Sequence, residues 1–468
     1  MSFRNTAIVL VLLIIVGGYA LIVGVGSKPV PPPTLVSFDP KDVTAIDLKY
    51  PDREILLARQ KGGDWQIVKP LQAKADPAVI NTLTEAISSC EIKDTVEQKP
   101  ENLAPFGLKD PRATVIVTVK GKGALPAIEV GRKTPVGASA YAKVAGNPAV
   151  VLVNESFPSD VTKTANDFRD RQLLNFKVDQ VQQFVIDHPG GATIDLTRDG
   201  DRWRIVKPQP YEADPTTVLS ALSSLADLKA ADFVVDNASN LAEYGLDHPR
   251  FTITVRTGKQ GQSQELKFGN DMVGGRDGIY IQIAGQPSVF TITKESLNGF
   301  DKSVNELRDK TVLAFDPSAV GHVDVESALE QYTLARKGGG WDITWNGKTV
   351  PAKTAVVENF LDQLRFLKGN DIAADPMTDP NRFGMDQPRV LIRLFDRKGK
   401  QMGAIKLSEL TLMSKSPGGA PGNQSFDYAA STANRTLYSI DNDDYSQIDK
   451  TAYDFGVSNQ PTATPTKP

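Results

Sequence analysis

The residues of this 468-residue chain that could carry chemistry are few and scattered. His188, His248 and His322 are its three histidines, and none forms the HxxxH or HxH spacing that sets two imidazoles on one metal ion. Cys90 is the single cysteine, so no intramolecular disulfide and no thiolate cluster can form, and it reads as a small residue on a buried helix face. No GxSxG elbow, P-loop or dinucleotide-binding glycine pattern is present. The richest glycine run, Gly269 to Gly278, lies between two predicted strands and lacks the helix that a phosphate cradle opens, so it reads as a hairpin loop. The expectation is a non-enzyme with no catalytic residue, no cofactor and no metal site.

Two sets of recurring side chains are the remaining candidates. Arg112, Arg250 and Arg389 each follow a proline, Pro111, Pro249 and Pro388, and each begins a predicted strand. A guanidinium there could grip a carboxylate or phosphate in two-point fashion. The structural alternative is an ion pair that closes a sheet edge, with Asp170 or Asp309 as partner. Trp65, Trp203 and Trp341 each follow a Gly/Asp turn and open an apolar strand, which predicts burial against the following helix, with carbohydrate stacking as the functional rival. His248 sits where the other copies carry Asp110 and Gln387, the mark of a solvated turn position.

These candidates recur because the chain repeats. The tryptophans stand 138 residues apart each time (203 − 65 and 341 − 203). Trp65-Gln-Ile-Val-Lys-Pro70 returns as Trp203-Arg-Ile-Val-Lys-Pro208 and, drifted, as Trp341-Asp-Ile-Thr-Trp345. Phe106-Gly107-Leu108 through Arg112 returns as Tyr244-Gly245-Leu246 through Arg250 and as Phe383-Gly384-Met385 through Arg389, and Gly107, Gly245 and Gly384 supply the positive φ such a turn needs. A unit of this length is domain-sized rather than a solenoid repeat.

Within a unit, alternating apolar runs (Val43–Leu48, Glu54–Ala58, Trp65–Val68) predict a β-meander. Asp76-Pro77 and Asp214-Pro215 then predict helix starts, with Thr354 as the cap in the third unit. The helix faces carry Ile80, Leu83, Ile87; Val218, Leu222, Leu225; and Val356, Phe360, Leu364, Leu367. Four further strands and a closing amphipathic segment give βββ-α-ββββ-α, an α+β fold with mainly antiparallel sheet. The predicted organisation is repeat domains at 38–175, 176–314 and 315–455, the third degenerate, with a long exposed loop at about 408–427 where Ser414 to Ser425 is rich in Gly, Pro and Ser.

At the ends, Thr6 to Gly26 carries no charge and is long enough to cross a bilayer as a helix. Residues 1–5, with Arg4, would form a cytoplasmic end, and the bulk of the chain would be extracytoplasmic, periplasmic in a two-membrane envelope. A cleaved signal peptide is the rival reading. Residues 27–37 form a proline-rich spacer, and 456–468 a disordered tail. Lys and Arg (53) nearly balance Asp and Glu (56), so the chain lacks the basic footprint of a nucleic-acid binder.

With these motifs in order, the chain resembles the bacterial membrane-anchored family of domain of unknown function 4340. The resemblance rests on the N-terminal segment, the Trp-x-Ile-x-Lys-Pro signature at Trp65 and Trp203, and the aromatic-Gly turns at Gly107, Gly245 and Gly384. It implies a single-pass envelope protein acting as scaffold or binding partner, accessory to ABC-type transporter subunits of an export or gliding-motility-like system. It brings no catalytic residues. The alternatives are an envelope enzyme or a glycan-binding protein acting on cell-surface polysaccharide.

Overall fold

The computed structural model describes residues 32–258, 261–274, 276–328, 330–414 and 422–457. The expected membrane helix at 6–26, the cytoplasmic end and the tail from 458 onward lie outside the described residues. Among the described residues, no helix is long and apolar enough to cross a membrane. Gly456 and Val457, placed in the tail by sequence, are ordered parts of the third repeat, where Val457 packs against the core.

The described residues form three antiparallel sheets of nine or ten strands with few helices, one sheet per repeat. It divides into two compact units, 1–172 and 173–468, the second holding two sheets. In the second sheet the strands run in the order Tyr211–Glu212, Arg202–Lys207, Thr193–Asp199, Val181–Asp187, Phe251–Thr257, Gln262–Asp271, Ile279–Ile283, Val289–Ile292, Asp232–Val235. The other two sheets follow the same order, with one extra two-residue strand, Gly123–Ala124, in the first. The first strand of each repeat therefore lies at the middle of its sheet, between the meander and the second half.

Two strands per repeat escape the sequence pattern, so βββ-α-ββββ-α becomes ββββ-α-βββββ-α. A fourth strand follows each meander, only two residues long at Ala73–Lys74 and Tyr211–Glu212, and a fifth follows each helix at Asp94–Glu97, Asp232–Val235 and Asp371–Ala374. Both lie at sheet edges, where one side is solvated and too few residues alternate to register as a period. The closing amphipathic segment is broken into short turns of helix, Phe157–Val161 and Ala165–Phe168 in the first repeat and Val304–Leu307 in the second, while the third closes with Asn442–Ile448.

The long helices begin where capping chemistry directs. Asp76 accepts from the Ala78 amide at 2.8 Å and Asp214 from that of Thr217 at 3.0 Å, and proline follows each. In the third repeat the cap position is Lys353, which offers no side-chain bond, and Thr354 lies one residue inside the helix Thr354–Phe366. Packing holds that helix instead, through Val357, Phe360, Leu361 and Leu364. Each core is also sealed by an apolar pair that precedes its first strand: Leu35-Val36, Leu173-Leu174 and Val312-Leu313. Leu173 and Leu174 thus belong to the second core, although the predicted boundary leaves them in the first domain.

The expected loop at 408–427 is instead mostly a hairpin. Gln401–Ser414 pairs with Gly422–Ser431 in unbroken register from Ile405↔Ser431 to Ser414↔Gly422. A ladder already registered at its base adds each further pair without a new loop closure, so backbone pairing continues into a Gly- and Ser-rich segment that lacks strand propensity of its own. Only 415–421 of that stretch lies outside the described residues.

The aromatic-Gly turn closes over the sheet in all three repeats. Gly107, Gly245 and Gly384 adopt φ of 68°, 67° and 69°. Beneath the turn, a Cβ on Gly131 would strike the Phe106 carbonyl oxygen, and one on Gly269 that of Tyr244. The third repeat places Ser408 there, and its hydroxyl donates to the Phe383 carbonyl at 2.6 Å. The turn's aromatic ring packs edge-on against a strand tyrosine each time: Phe106–Tyr141, Tyr244–Tyr280 and Phe383–Tyr428. Gly269→Ala is therefore expected to destabilise the protein by about 1–3 kcal/mol through overpacking. Ser408→Ala should cost about 1 kcal/mol through a lost hydrogen bond. Urea denaturation of both variants checks this, and a neutral Gly269→Ala would contradict the close approach.

Candidate functional site

The marker tryptophans are core residues, 3%, 2% and 2% exposed at Trp65, Trp203 and Trp341. None offers a ring face on which a sugar could stack. Two of them are covered by an arginine the sequence reading missed: Arg59 lies 5.1 Å from the Trp65 ring centre and Arg336 lies 4.6 Å from that of Trp341. Arg198 occupies the same place in the second repeat. All three donate to a backbone carbonyl at or just before the first strand, Lys41, Asp179 and Val320. The Leu-x-Arg signal is present in each copy, but one residue of extra spacing to Trp65 obscures it. In the third repeat Glu358 joins the group, accepting from Trp341 Nε1 at 2.8 Å and pairing with Arg336 at 3.1 Å. The arginine and glutamate thereby join sheet, strand entry and helix.

Pro111, Pro249 and Pro388 lead out of the turn into the central strand pair, and the arginines after them diverge. Arg250 pairs with Asp271 at 2.8 Å and donates through Nε to the Gly269 carbonyl at 2.7 Å, while Lys294 meets the same carboxylate at 2.6 Å. Arg389 pairs with Glu409 and approaches Asp449 at 3.6 Å. Arg112 is exposed, and its backbone amide pairs with Val130. The expected partners lie elsewhere: Asp170 pairs with Lys74 at 2.8 Å, and Asp309 accepts from the amide and hydroxyl of Thr311. The reason is register, since an arginine at the start of a strand faces residues on the neighbouring strand rather than those at the repeat boundary.

Around Arg389 the third repeat gathers carboxylates. Glu409 and Asp427 are directly opposite each other across the hairpin. Asp427 is only 6% exposed, and its one bond comes from Asn442 Nδ2 at 3.3 Å, leaving Oδ1 without a partner. Burial pushes its carboxyl above the ordinary range, and the facing Glu409 adds to the rise against the opposing pull of Asn442 and Arg389.

The histidines separate completely. His248 is an exposed turn residue. His188 stacks on Phe251 and meets Asp301 at 3.1 Å. His322 meets Asp324 at 2.7 Å, and Asp324 accepts from Thr333 at 3.0 Å. This last pair borders a depression of about 650 Å³ shared with Gly321, Arg336, Phe395 and Arg397. An imidazole oriented by a carboxylate is half of an acid–base apparatus, but no hydroxyl or thiol nucleophile lines the depression. Its two arginines are engaged with the Val320 and Ser318 carbonyls. Gln183 and Ala45 stand at the equivalent sheet position in the other repeats. Burial raises the Cys90 thiol to about 12, which keeps it protonated and unreactive. Among the described residues no group of side chains is placed to hold a metal ion.

The family described as domain of unknown function (DUF4340) matches residues 65–204 and 203–388. No curated protein matches the chain. Among solved structures, the DNA polymerase III subunit beta from Pseudomonas aeruginosa aligns at 9% identity over 86% of this chain and 92% of its own, with a TM-score of 0.13. A putative DNA polymerase III beta subunit from Eubacterium rectale aligns at 9% identity over 88% and 93%, with a TM-score of 0.12. Scores this low contribute nothing to the account of fold or function.

The Asp427 carboxyl gives a pH prediction with a definite sign. A raised folded-state pKa means the folded chain holds this proton more tightly than the unfolded chain. Its stabilising contribution is full below the ordinary carboxyl range and is lost as pH rises through the raised value. Asp427→Asn should therefore raise the thermal midpoint at about pH 7 by roughly 2–4 °C. The gain over wild type should shrink on acidification into the ordinary carboxyl range, about pH 4. Calorimetry at the two pH values decides it, and a lower midpoint at neutral pH would refute the reading.

Proposed function

We infer that this chain, which belongs to the domain of unknown function family DUF4340, serves as a non-catalytic, membrane-anchored scaffold or binding protein on the outer side of the cell membrane. Its partners on this reading are subunits of an ABC-type export or gliding-motility-like system. The observation that carries the proposal is what the repeats have kept. Trp65, Trp203 and Trp341 with their arginines, and Gly107, Gly245 and Gly384 with Gly131, Gly269 and Ser408, build the sheet and its covering turn. A protein that multiplies a framework three times, and lets the polar residues between copies change, presents surface rather than a repeated active centre.

The uncharged run from Thr6 to Gly26 supplies the anchor in this proposal, and Pro29 to Pro33 the spacer that holds the first repeat clear of the bilayer. Protein-scale partners fit a framework of wide sheets better than a small ligand does, because the depression beside His322 has its histidine and both of its arginines already engaged. The test is affinity purification of the full chain from mildly solubilised membranes after crosslinking in the cell. Transporter subunits should copurify, and a variant lacking residues 1–31 should lose the membrane fraction. Membrane fractions from which the chain is recovered without any transporter subunit would overturn the partner assignment. A chain found in the soluble cytoplasmic fraction would overturn the anchor.

A further inference from the structure

Arg308 is a buried charge that, among the described residues, is neutralised from outside its own repeat. It follows the short helix Val304–Leu307 at the end of the second repeat and is 7% exposed. Its Nη2 reaches Asp375 Oδ2 at 2.7 Å and lies 3.5 Å from Thr436 Oγ1, and both partners belong to the third repeat. Its guanidinium carbon sits 3.7 Å from the ring centre of Tyr211, an edge-strand residue of the second repeat. A second tie runs the opposite way: Lys368 of the third repeat meets Asp214 at 2.6 Å, the residue that caps the second repeat's long helix. Between the ties the chain itself pairs, with the Val312 amide on the Leu367 carbonyl at 3.0 Å and the Gly369 amide on that of Lys310 at 2.9 Å.

The cavity beside Arg308, about 410 Å³, could be taken for a site for a charged ligand. Its carboxylates are answered from within the protein: Asp375 by Arg308, Glu212 by Arg204 at 3.1 Å, and Asp309 by Thr311. Charge balance of this kind describes a joint. The far end of the third repeat supports the same conclusion. The Asp214 amide bonds the Leu307 carbonyl, and the Lys353 amide bonds that of Phe455, so Lys353 and Gly456 occupy the positions of Asp214 and Arg308. Val350, opposite Ile343, stands where Tyr211 stands opposite Ile205. Gly456, Lys353 and Val350 thus replace the Arg308, Asp214 and Tyr211 of the joint. The free edge strand Lys348–Ala352 also carries Lys348 and Pro351, residue types that discourage further strand addition.

We propose that Arg308 is a latch that fuses the second and third repeats into one cooperative unit. Removing Asp375 leaves Arg308 buried without its carboxylate, and removing Arg308 leaves Asp375 without its cation, so either change opens the joint rather than trimming a surface contact. This role is independent of which proteins the chain binds.

Hydrogen exchange on the full-length protein across a urea series, read by mass spectrometry, tests the proposal. Peptides from the helices Pro215–Ala226 and Thr354–Phe366 should lose protection at one shared midpoint in wild type. In Arg308→Ala and in Asp375→Ala the two opening constants should diverge, on the order of a hundredfold. Arg250→Ala, which removes a surface pair, should leave them coincident. If Arg308→Ala does not fold, Lys368→Met removes the second tie alone and should separate the midpoints by a smaller margin. Coincident midpoints in the latch variants, or separate midpoints already in wild type, would overturn the proposal.

Discussion

Each repeat depends on a non-local pairing at the centre of its sheet. The first strand must find the strand that follows the aromatic-Gly turn, and the partners Ile46↔Val117, Phe184↔Val255 and Val323↔Leu394 are 71 residues apart every time (117 − 46, 255 − 184, 394 − 323). Until that pair closes, the meander and the second half are two separate small sheets with one face each exposed. Its closure carries a loop-closure cost that local hairpins do not. The register is held by a bulge at the same place in each copy, between Val43 and Ala45, Val181 and Gln183, and Val320 and His322. A slip by one residue would turn Ile46, Phe184 and Val323 from the core to solvent.

The kept residues make sense as servants of that pairing. The long helix returns the chain across the core face, and its burial sets where the chain emerges. The aromatic-Gly turn then reverses the chain, and the Pro-Arg that follows delivers it to the central position. The tryptophan and its arginine lock the meander to the strand entry, since Arg59, Arg198 and Arg336 donate to carbonyls at the mouth of the first strand. Copies can change the turn's polar residue, Asp110 to His248 to Gln387, because that side chain takes no part in closing the sheet. They cannot change the left-handed glycine, whose φ near 70° carries a steric cost for other residues.

What could be read from the sequence follows the same division. Meander strands, helix faces and the glycine turns were legible because each writes a local period or a local conformational demand into adjacent residues. The two edge strands of each repeat were not, since Asp94–Glu97 or Tyr211–Glu212 is too short and too exposed to alternate. The ion-pair partners of Arg250 and Arg389 were invisible because Asp271 and Glu409 are selected by the register of the hairpin that follows each arginine, which no local period in the sequence specifies. Gly131 and Gly269 could have been caught: they recur at the repeat interval, and only the serine at 408 breaks the series.

That serine shows how the third copy drifted without losing its fold. A carbonyl approaching a strand closely can be met in two ways, by removing the side chain or by placing a donor there, and the two are energetically distinct. Glycine admits van der Waals contact and leaves the oxygen to other partners, whereas Ser408 bonds the Phe383 oxygen directly at 2.6 Å and is 3% exposed. The exchange works only if the oxygen stands far enough off for a hydroxyl to fit, so turn and strand must have separated slightly together. The same hairpin carries Glu409 and Asp427 next to Ser408, where Arg389 now divides its charge between Glu409 and Asp449. Beyond the altered Trp341 motif and the lost Asp cap, drift of the third repeat thus also falls on a strand pair that the central pairing does not need, and this is where a repeated framework is free to acquire a property of its own.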